Sequence, residues 1–248
     1  MVERYTLSSL DEVSDRLGVS VPDGIRPRFN IAPLQTALIR TASALVAARW
    51  GLLPPWRGHG GKRGPHVVHA AVDDLERVPL LRNAFRSQRC LVLADGFYVW
   101  RRTGNKPQPV WVHPAADPGR PEARSRLIAF AGLAATHRDD DQPSFAIVVG
   151  PASPLVASLV APPTSPSAPS RTSGAGRAVT AAPTMPIVLA AGGYDTWLTG
   201  TREAARMQLD HQPEGWRADP VSTRVSSVEH DDEACIALLG NPAQGELF

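Results

Sequence analysis

Seven histidines, two cysteines and two acidic clusters have the residue types for metal, thiol or paired-carboxylate chemistry. Their spacing supports none of these. His59, His66, His113, His137, His211 and His230 show no metal-ligand interval and have no cysteine partner, so no metal is expected. Cys90 and Cys235 are isolated thiols with no CxxC pair, which fits a reducing compartment and excludes a cysteine zinc site. Cys90 also opens an apolar run, where a free cysteine is expected as buried core. Asp139–Asp141 and Asp231–Glu233 read as solvated turns or helix starts, and no segment asks for a cofactor. What stands out instead is an ordered series of short blocks.

The chain opens Met1-Val2-Glu3-Arg4-Tyr5-Thr6. Then follow RFNIAPLQ from Arg28, RWGLLPPW from Arg49, CLVLADGFYVW from Cys90, MPIVL from Met185 and PVSTRV from Pro220. In order and spacing these blocks resemble the SOS response-associated peptidase family, known for capturing abasic sites in single-stranded DNA. The likeness spans Met1 to Ile236 with one long insertion. The resemblance implies the family's α+β fold, a single domain with a curved, barrel-like mixed sheet and flanking short helices.

In that family the chain begins MCGRYT, and the cysteine becomes N-terminal once Met1 is removed. Its amine and thiol together close on a ring-opened sugar aldehyde as a thiazolidine. Here that position is Val2. Family members also carry an Asn in an INARAE-like segment, a Glu in ADGFYEW and a His in HDRMP, which orient the sugar and move protons. Carried over by position, the Asn becomes His69, its neighbouring Arg becomes Ala71, and the Glu becomes Val99. The His becomes Val160 or Ala182, depending on where the insertion is placed. Four replacements together imply a scaffold that has lost its chemistry, with no durable crosslink to DNA.

Two groups keep an alternative open. The Val2 amine would have a pKa near about 7.7–8.0 and could form a reversible imine with an abasic aldehyde, leading to strand cleavage by β-elimination. His69 could serve as its acid or base. Equally, Val2 could be a packed terminus and His69 a histidine without a task. For binding, the resemblance points to Arg4 at a backbone phosphate, to Trp50, Leu52 and Leu53 as an apolar wedge among bases, and to Pro33 and Trp100 in equally well-matched blocks. Trp50, Phe97 and Trp100 also sit at strand ends, where aromatics pack as core. The expected partner is single-stranded or abasic DNA, and the third possibility is a non-enzymatic interaction protein.

The elements that must position these groups are legible in part. Ser8 or Ser9 can start a helix with Asp11 and Glu12 in its first turn, Leu10, Val13 and Leu17 on one face, and Gly18 as its stop. Strand-like runs follow at 45–50, 90–94, 97–100, 109–113, 127–133 and 145–149. Residues 73–89 read as a helix interrupted or started late by Pro79, and Gly104-Asn105 suits a hairpin turn. Short helices are expected at 194–198, 202–209 and 232–238. The Pro-, Ser- and Ala-rich stretch 162–183 has too little apolar surface to order itself and reads as a disordered insertion within one domain, 1–239. Residues 240–248 read as a flexible tail.

At 248 residues the chain can bury a core without disulfides or metal. It lacks a run of about 18 apolar residues for a membrane span and a signal-like start, so a cytoplasmic monomer is expected. The net charge of +2 hides an asymmetry: between Arg49 and Arg126 lie 14 basic and 6 acidic residues. Convergence of those charges on one groove would favour nucleic acid. Dispersal would favour an interaction protein.

Overall fold

Two strands in this chain, Arg89–Ala94 (β6) and Ile128–Ala135 (β9), are buried along their whole length, and Ser144–Pro151 (β10) is buried up to its last residue. A strand apolar on both faces must be covered on both, and closing a sheet on itself achieves this, one face lining the interior and the other packed from outside. In the computed structural model, Thr36–Arg40 (β3) and Leu45–Trp50 (β4) complete that closure. β4 pairs antiparallel with β3, β3 with β6, β6 with β9 and β9 with β10, and β10 returns to β4 in parallel. The result is a five-stranded mixed barrel. His69–Ala71 (β5) extends it by pairing parallel with β10; Thr184–Pro186 (β11) pairs antiparallel with β10, and Val188–Leu189 (β12) with β9. The structure describes residues 3–54, 64–103, 106–115, 126–136, 142–160, 182–210 and 213–239.

A second sheet packs beside the barrel in the order Trp216–Pro220 (β13), Lys106–Pro114 (β8), Gly96–Thr103 (β7), Tyr5–Leu7 (β1) and Arg28–Ile31 (β2). Strand alternation sorts its residues. Phe97 and Val99 point into the main core, while Tyr98 joins Trp111, Val221, Val225 and Cys235 in a smaller cluster on the other face, with Trp100 packed against it. β7 and β8 pair in register from Phe97↔Val112 to Thr103↔Lys106, which leaves a two-residue connection. The expected turn, Gly104-Asn105, lies outside the described residues.

The helices follow local chemistry closely. Leu10–Leu17 (α1) carries Asp11 and Glu12 in its first turn and stops at Gly18, whose φ of 61° only glycine adopts freely. Ser9 occupies the N-cap position, but its side chain does not cap. Its backbone N–H goes instead to buried Asp95, 3.0 Å away, which also accepts from the Ser8 N–H and hydroxyl and from Thr6 Oγ1. Residues 73–89 divide at Pro79: a 3-10 turn at Val72–Asp74, then Pro79–Ser87 (α2) with proline in the first turn, where its missing N–H costs nothing. Buried Arg89 closes the neighbouring gap by donating to the carbonyls of Phe85 at 2.7 Å and Gly200 at 2.5 Å.

Pro154–Val160 (α3) is a helix the sequence reading did not anticipate. Tyr194–Thr199 (α4) and Arg202–Met207 (α5) lie where expected. The expected helix at 232–238 is corrected to a single 3-10 turn, Glu233–Cys235, because Leu238 pairs with Val221 as an extended bridge and holds the chain straight. Residues 161–181 and 240–248, covering most of the expected insertion and all of the expected tail, lie outside the described residues. The insertion's two ends are nevertheless clasped together. The Ala152 N–H donates to the Pro183 carbonyl at 3.0 Å, and Pro151 pairs with Thr184.

Candidate nucleic-acid interface

Four elements bring the positions of interest together. β1 leads down from the N-terminus beside β7, with Tyr5 opposite Phe97 and the Tyr98 N–H donating to the Arg4 carbonyl at 3.0 Å. This register sets Glu3, the first described residue, alongside Val99. Val2 itself lies outside the described residues. On the barrel side, the Trp50 ring meets Tyr5 edge-on with centroids 5.3 Å apart and His69 at 5.8 Å, and its indole N–H donates to the Val68 carbonyl at 3.0 Å. The α3 helix lies over β7 and contributes Val160 to the packing around the same core.

The replaced catalytic positions are therefore neighbours of one another, and the environment they share is apolar. Val99 is 3% exposed within the main core, and Val160 is half-buried against it. Ala182, the other position considered for the family histidine, is exposed at the start of β11. His69 is half-buried and carries interactions of its own beyond the Trp50 contact. Tyr5 is fully buried; its hydroxyl has no hydrogen-bond partner among the described residues, and burial holds its pKa well above the ordinary phenol range. A neutral phenol of this kind is a ring in the core.

Neither thiol substitutes for the lost one. Cys90 is fully buried facing Gly132, where an added Cβ would come within 2.8 Å of its sulfur, and desolvation pushes its thiol pKa far up. Cys235 belongs to the cluster on the opposite face of β7 from Val99, and burial raises its pKa as well. Among the described residues no group of three His, Cys, Asp or Glu side chains could hold a metal ion.

The expected DNA-contacting residues fare unequally. Arg4 is half-buried, donating to Asn30 Oδ1 at 3.0 Å and to the Val225 carbonyl at 3.3 Å, and desolvation lowers its pKa. Its first task is thus to brace the turn at Thr223–Ser226. Asn30 does the larger share, its amide donating to the carbonyls of Val225, Ser227 and His230 at 3.2, 2.8 and 2.7 Å. Trp50 and Leu52 are fully buried and Leu53 is 8% exposed, which leaves none of them a face on which a base could stack. The wedge expected from that block is corrected to core. Pro33 and Trp100 remain half-exposed.

Sequence reasoning missed two residues here. Arg101 lies two positions beyond Val99 on the same face of β7, and its Nε is buried without a hydrogen-bond partner among the described residues. Only strand alternation could have pointed to it. Leu34, next to Pro33, is 51% exposed. As for the basic central third, its described charges do not converge: Arg77, Arg82 and Arg86 lie on or just before α2, Arg49 on β4, Arg89 is buried, and Arg126 precedes β9. Only Arg101 and Arg102 lie on a strand of the shared face, and the six remaining basic side chains lie outside the described ones.

A five-stranded mixed barrel flanked by a second sheet, with the N-terminus running beside a once-polar cluster, defines the class. The chain belongs to the family described as SOS response associated peptidase (SRAP), which it matches over residues 1–228. Among its relatives, the abasic site processing protein YoaM of Bacillus subtilis is 34% identical over 142 residues, covering 54% of this chain and 59% of that one. The abasic site processing protein HMCES of Xenopus tropicalis is 32% identical over 101 residues, covering 36% and 30%. The chain thus spans somewhat over half the length of the bacterial relative. Solved structures of proteins from Bacteroides thetaiotaomicron and Bordetella bronchiseptica share the fold at TM-scores of 0.70 and 0.66, each with 16% identity. They cover 94% and 90% of this chain, and the alignments span 97% and 100% of theirs. No helix among the described residues is long and apolar enough to cross a membrane.

Proposed function

We propose that this protein binds single-stranded DNA at or beside an abasic site and holds it without forming a durable crosslink. The observation that carries the reading is Val99. It stands where the family has a carboxylate and is 3% exposed in the apolar core, with Val160 packed against the same core. A charged proton carrier in such a place would need a partner to offset its desolvation, and aliphatic packing has taken its room. Binding asks less of the site. Arg4 keeps its place beside the N-terminus, and Arg101 offers a cation on the Val99 face, where a phosphate would complete its hydrogen bonding.

The test uses oligonucleotides with and without an abasic site. Salt-dependent binding with no adduct surviving a denaturing gel is expected. Abundant heat- and salt-stable adduct would overturn the loss of chemistry. Borohydride trapping, compared with an N-acetylated sample, separates a transient Val2 imine from no imine at all. Val2→Cys by itself is expected to restore little stable adduct, since His69, Val99 and Val160 or Ala182 stay unchanged.

A second reading, a non-enzymatic interaction protein, draws support from the dispersal of Arg49, Arg77, Arg82, Arg86 and Arg126 over separate elements. Absence of any salt-dependent DNA binding would decide for it.

A further inference from the structure

A leucine in the left-handed backbone region pays about 1–2 kcal/mol in steric strain that glycine or asparagine largely avoids. Leu34, with φ 68°, is the one non-glycine residue with positive φ among the described residues. The turn that holds it is clamped from both sides. The Leu34 N–H donates to the Trp50 carbonyl at 2.7 Å, the Trp50 N–H donates to the Gln35 carbonyl at 2.9 Å, and the Ala32 N–H donates to Gln35 Oε1 at 3.1 Å. Strain of this sort is ordinarily tolerated where it fixes a core contact. Here the side chain it fixes is 51% exposed, so the fold gains little from having leucine there.

The side chain rests on a bare stretch of backbone. At Gly51, φ 143°, an added Cβ would lie 3.0 Å from Leu34 Cδ2 and 3.1 Å from His66 Nδ1. Glycine therefore lets Leu34 and His66 meet over the β4 exit, where His66 Nδ1 is also 3.1 Å from the Gly51 carbonyl oxygen. Pro33 stiffens the approach. These four residues make a rigid, apolar lip directly above Trp50, whose ring touches His69. An aliphatic side chain held out on a rigid turn has the form of a wedge that enters a base step and props it open.

We propose that Leu34 is the wedge of this protein, inserting between two stacked bases next to the bound lesion, with His66 against its flank. The proposal rests on the DNA-binding reading above, and one experiment separates the two. Oligonucleotides carrying a tetrahydrofuran abasic analogue next to 2-aminopurine, single-stranded or at a single-strand/duplex junction, report both binding and unstacking. Wild-type protein is expected to bind and to raise 2-aminopurine fluorescence. Leu34→Gly and Leu34→Asn, both compatible with the left-handed backbone, are expected to lose that rise. They should bind roughly 5–10-fold more weakly, the loss that goes with burying the exposed half of a leucine. Their thermal midpoints should equal or exceed wild type, which rules out misfolding as the cause. Met207→Ala, removing an equally exposed apolar side chain on α5, should change nothing. Variants that bind and unstack like wild type, or wild type that binds without unstacking, would overturn the wedge and leave the binding reading intact. No binding by wild type would overturn both.

Discussion

Asn30 offers the sharpest test of how the N-terminal face is built. Its side chain is fully buried, and its one amide group serves the carbonyls of Val225, Ser227 and His230. An amide nitrogen carries two hydrogens, so the bonds at 2.8 and 2.7 Å are the principal pair, and the 3.2 Å contact to Val225 is shared with Arg4. Asn30→Ala removes both principal bonds, leaves two buried carbonyls unpaired and deprives Arg4 of the acceptor at 3.0 Å. Each made bond is worth about 1 kcal/mol net, and each buried orphan costs about 1–3 kcal/mol. Overlap between these terms and partial relaxation bring the expected loss to roughly 2–4 kcal/mol. For a chain of this size that is a fall of about 5–12 °C in melting temperature. Chemical denaturation with an unchanged slope gives the free energy directly. Limited proteolysis should show earlier cleavage near residues 223–230. Asn30→Asp should be at least as harmful despite keeping Arg4 paired, because a carboxylate meets the same carbonyls as an acceptor facing acceptors. A loss below about 0.5 kcal/mol for Asn30→Ala, the ordinary range of a surface change, would refute the claim that this amide organises the face.

Other consequences can be checked with simple measurements. Because burial raises the pKa of both Cys90 and Cys235, thiol titration of the native protein at pH 8 should find no fast-reacting sulfhydryl, and two after denaturation; a rapid native thiol would contradict the packing. Gly96→Ala would bring a Cβ within 2.3 Å of Trp111 Nε1 and 3.0 Å of the Val112 carbonyl, so a loss of more than about 1–3 kcal/mol is expected from overpacking, read by denaturant unfolding. Val99→Glu should be destabilising at neutral pH. The buried carboxyl's pKa would rise above its unfolded value, so the folded form would hold the extra proton. Stability of that variant should accordingly fall as pH rises through the raised range, and a flat profile relative to wild type would show that the site is not apolar.

How far the sequence could be read depended on whether the signal was local. Gly18, Pro79 and the pair Asp11 and Glu12 each act within one turn, so α1 and the start of α2 were readable from them. The long apolar runs of β6, β9 and β10 announce burial whatever they pack against. β5, β11 and β12 are two or three residues long and exist because β9 and β10 offer edges, which no local pattern encodes. β13, with Arg217, Asp219 and Pro220 among its five residues, does not resemble a strand until β8 is beside it. The site divides the same way. The loss of polar groups at Val99 and Val160 shows in the letters alone, whereas the burial of Trp50 and the exposure of Leu34 depend on which way a turn between β2 and β3 directs its residues.

The clasp between Ala152 and Pro183 has a broader meaning. Chain that departs and returns at a single hydrogen-bonded doorway can lengthen at small cost, since closure entropy grows only logarithmically with the number of residues enclosed. Beyond α3, the stretch between Val160 and Ala182 is thus a detachable annex, and its makeup can drift, expand or be swapped for a reporter domain while the staves on either side keep their alignment. Lineages of this architecture could acquire new appendages there without renegotiating how the rest of the molecule folds.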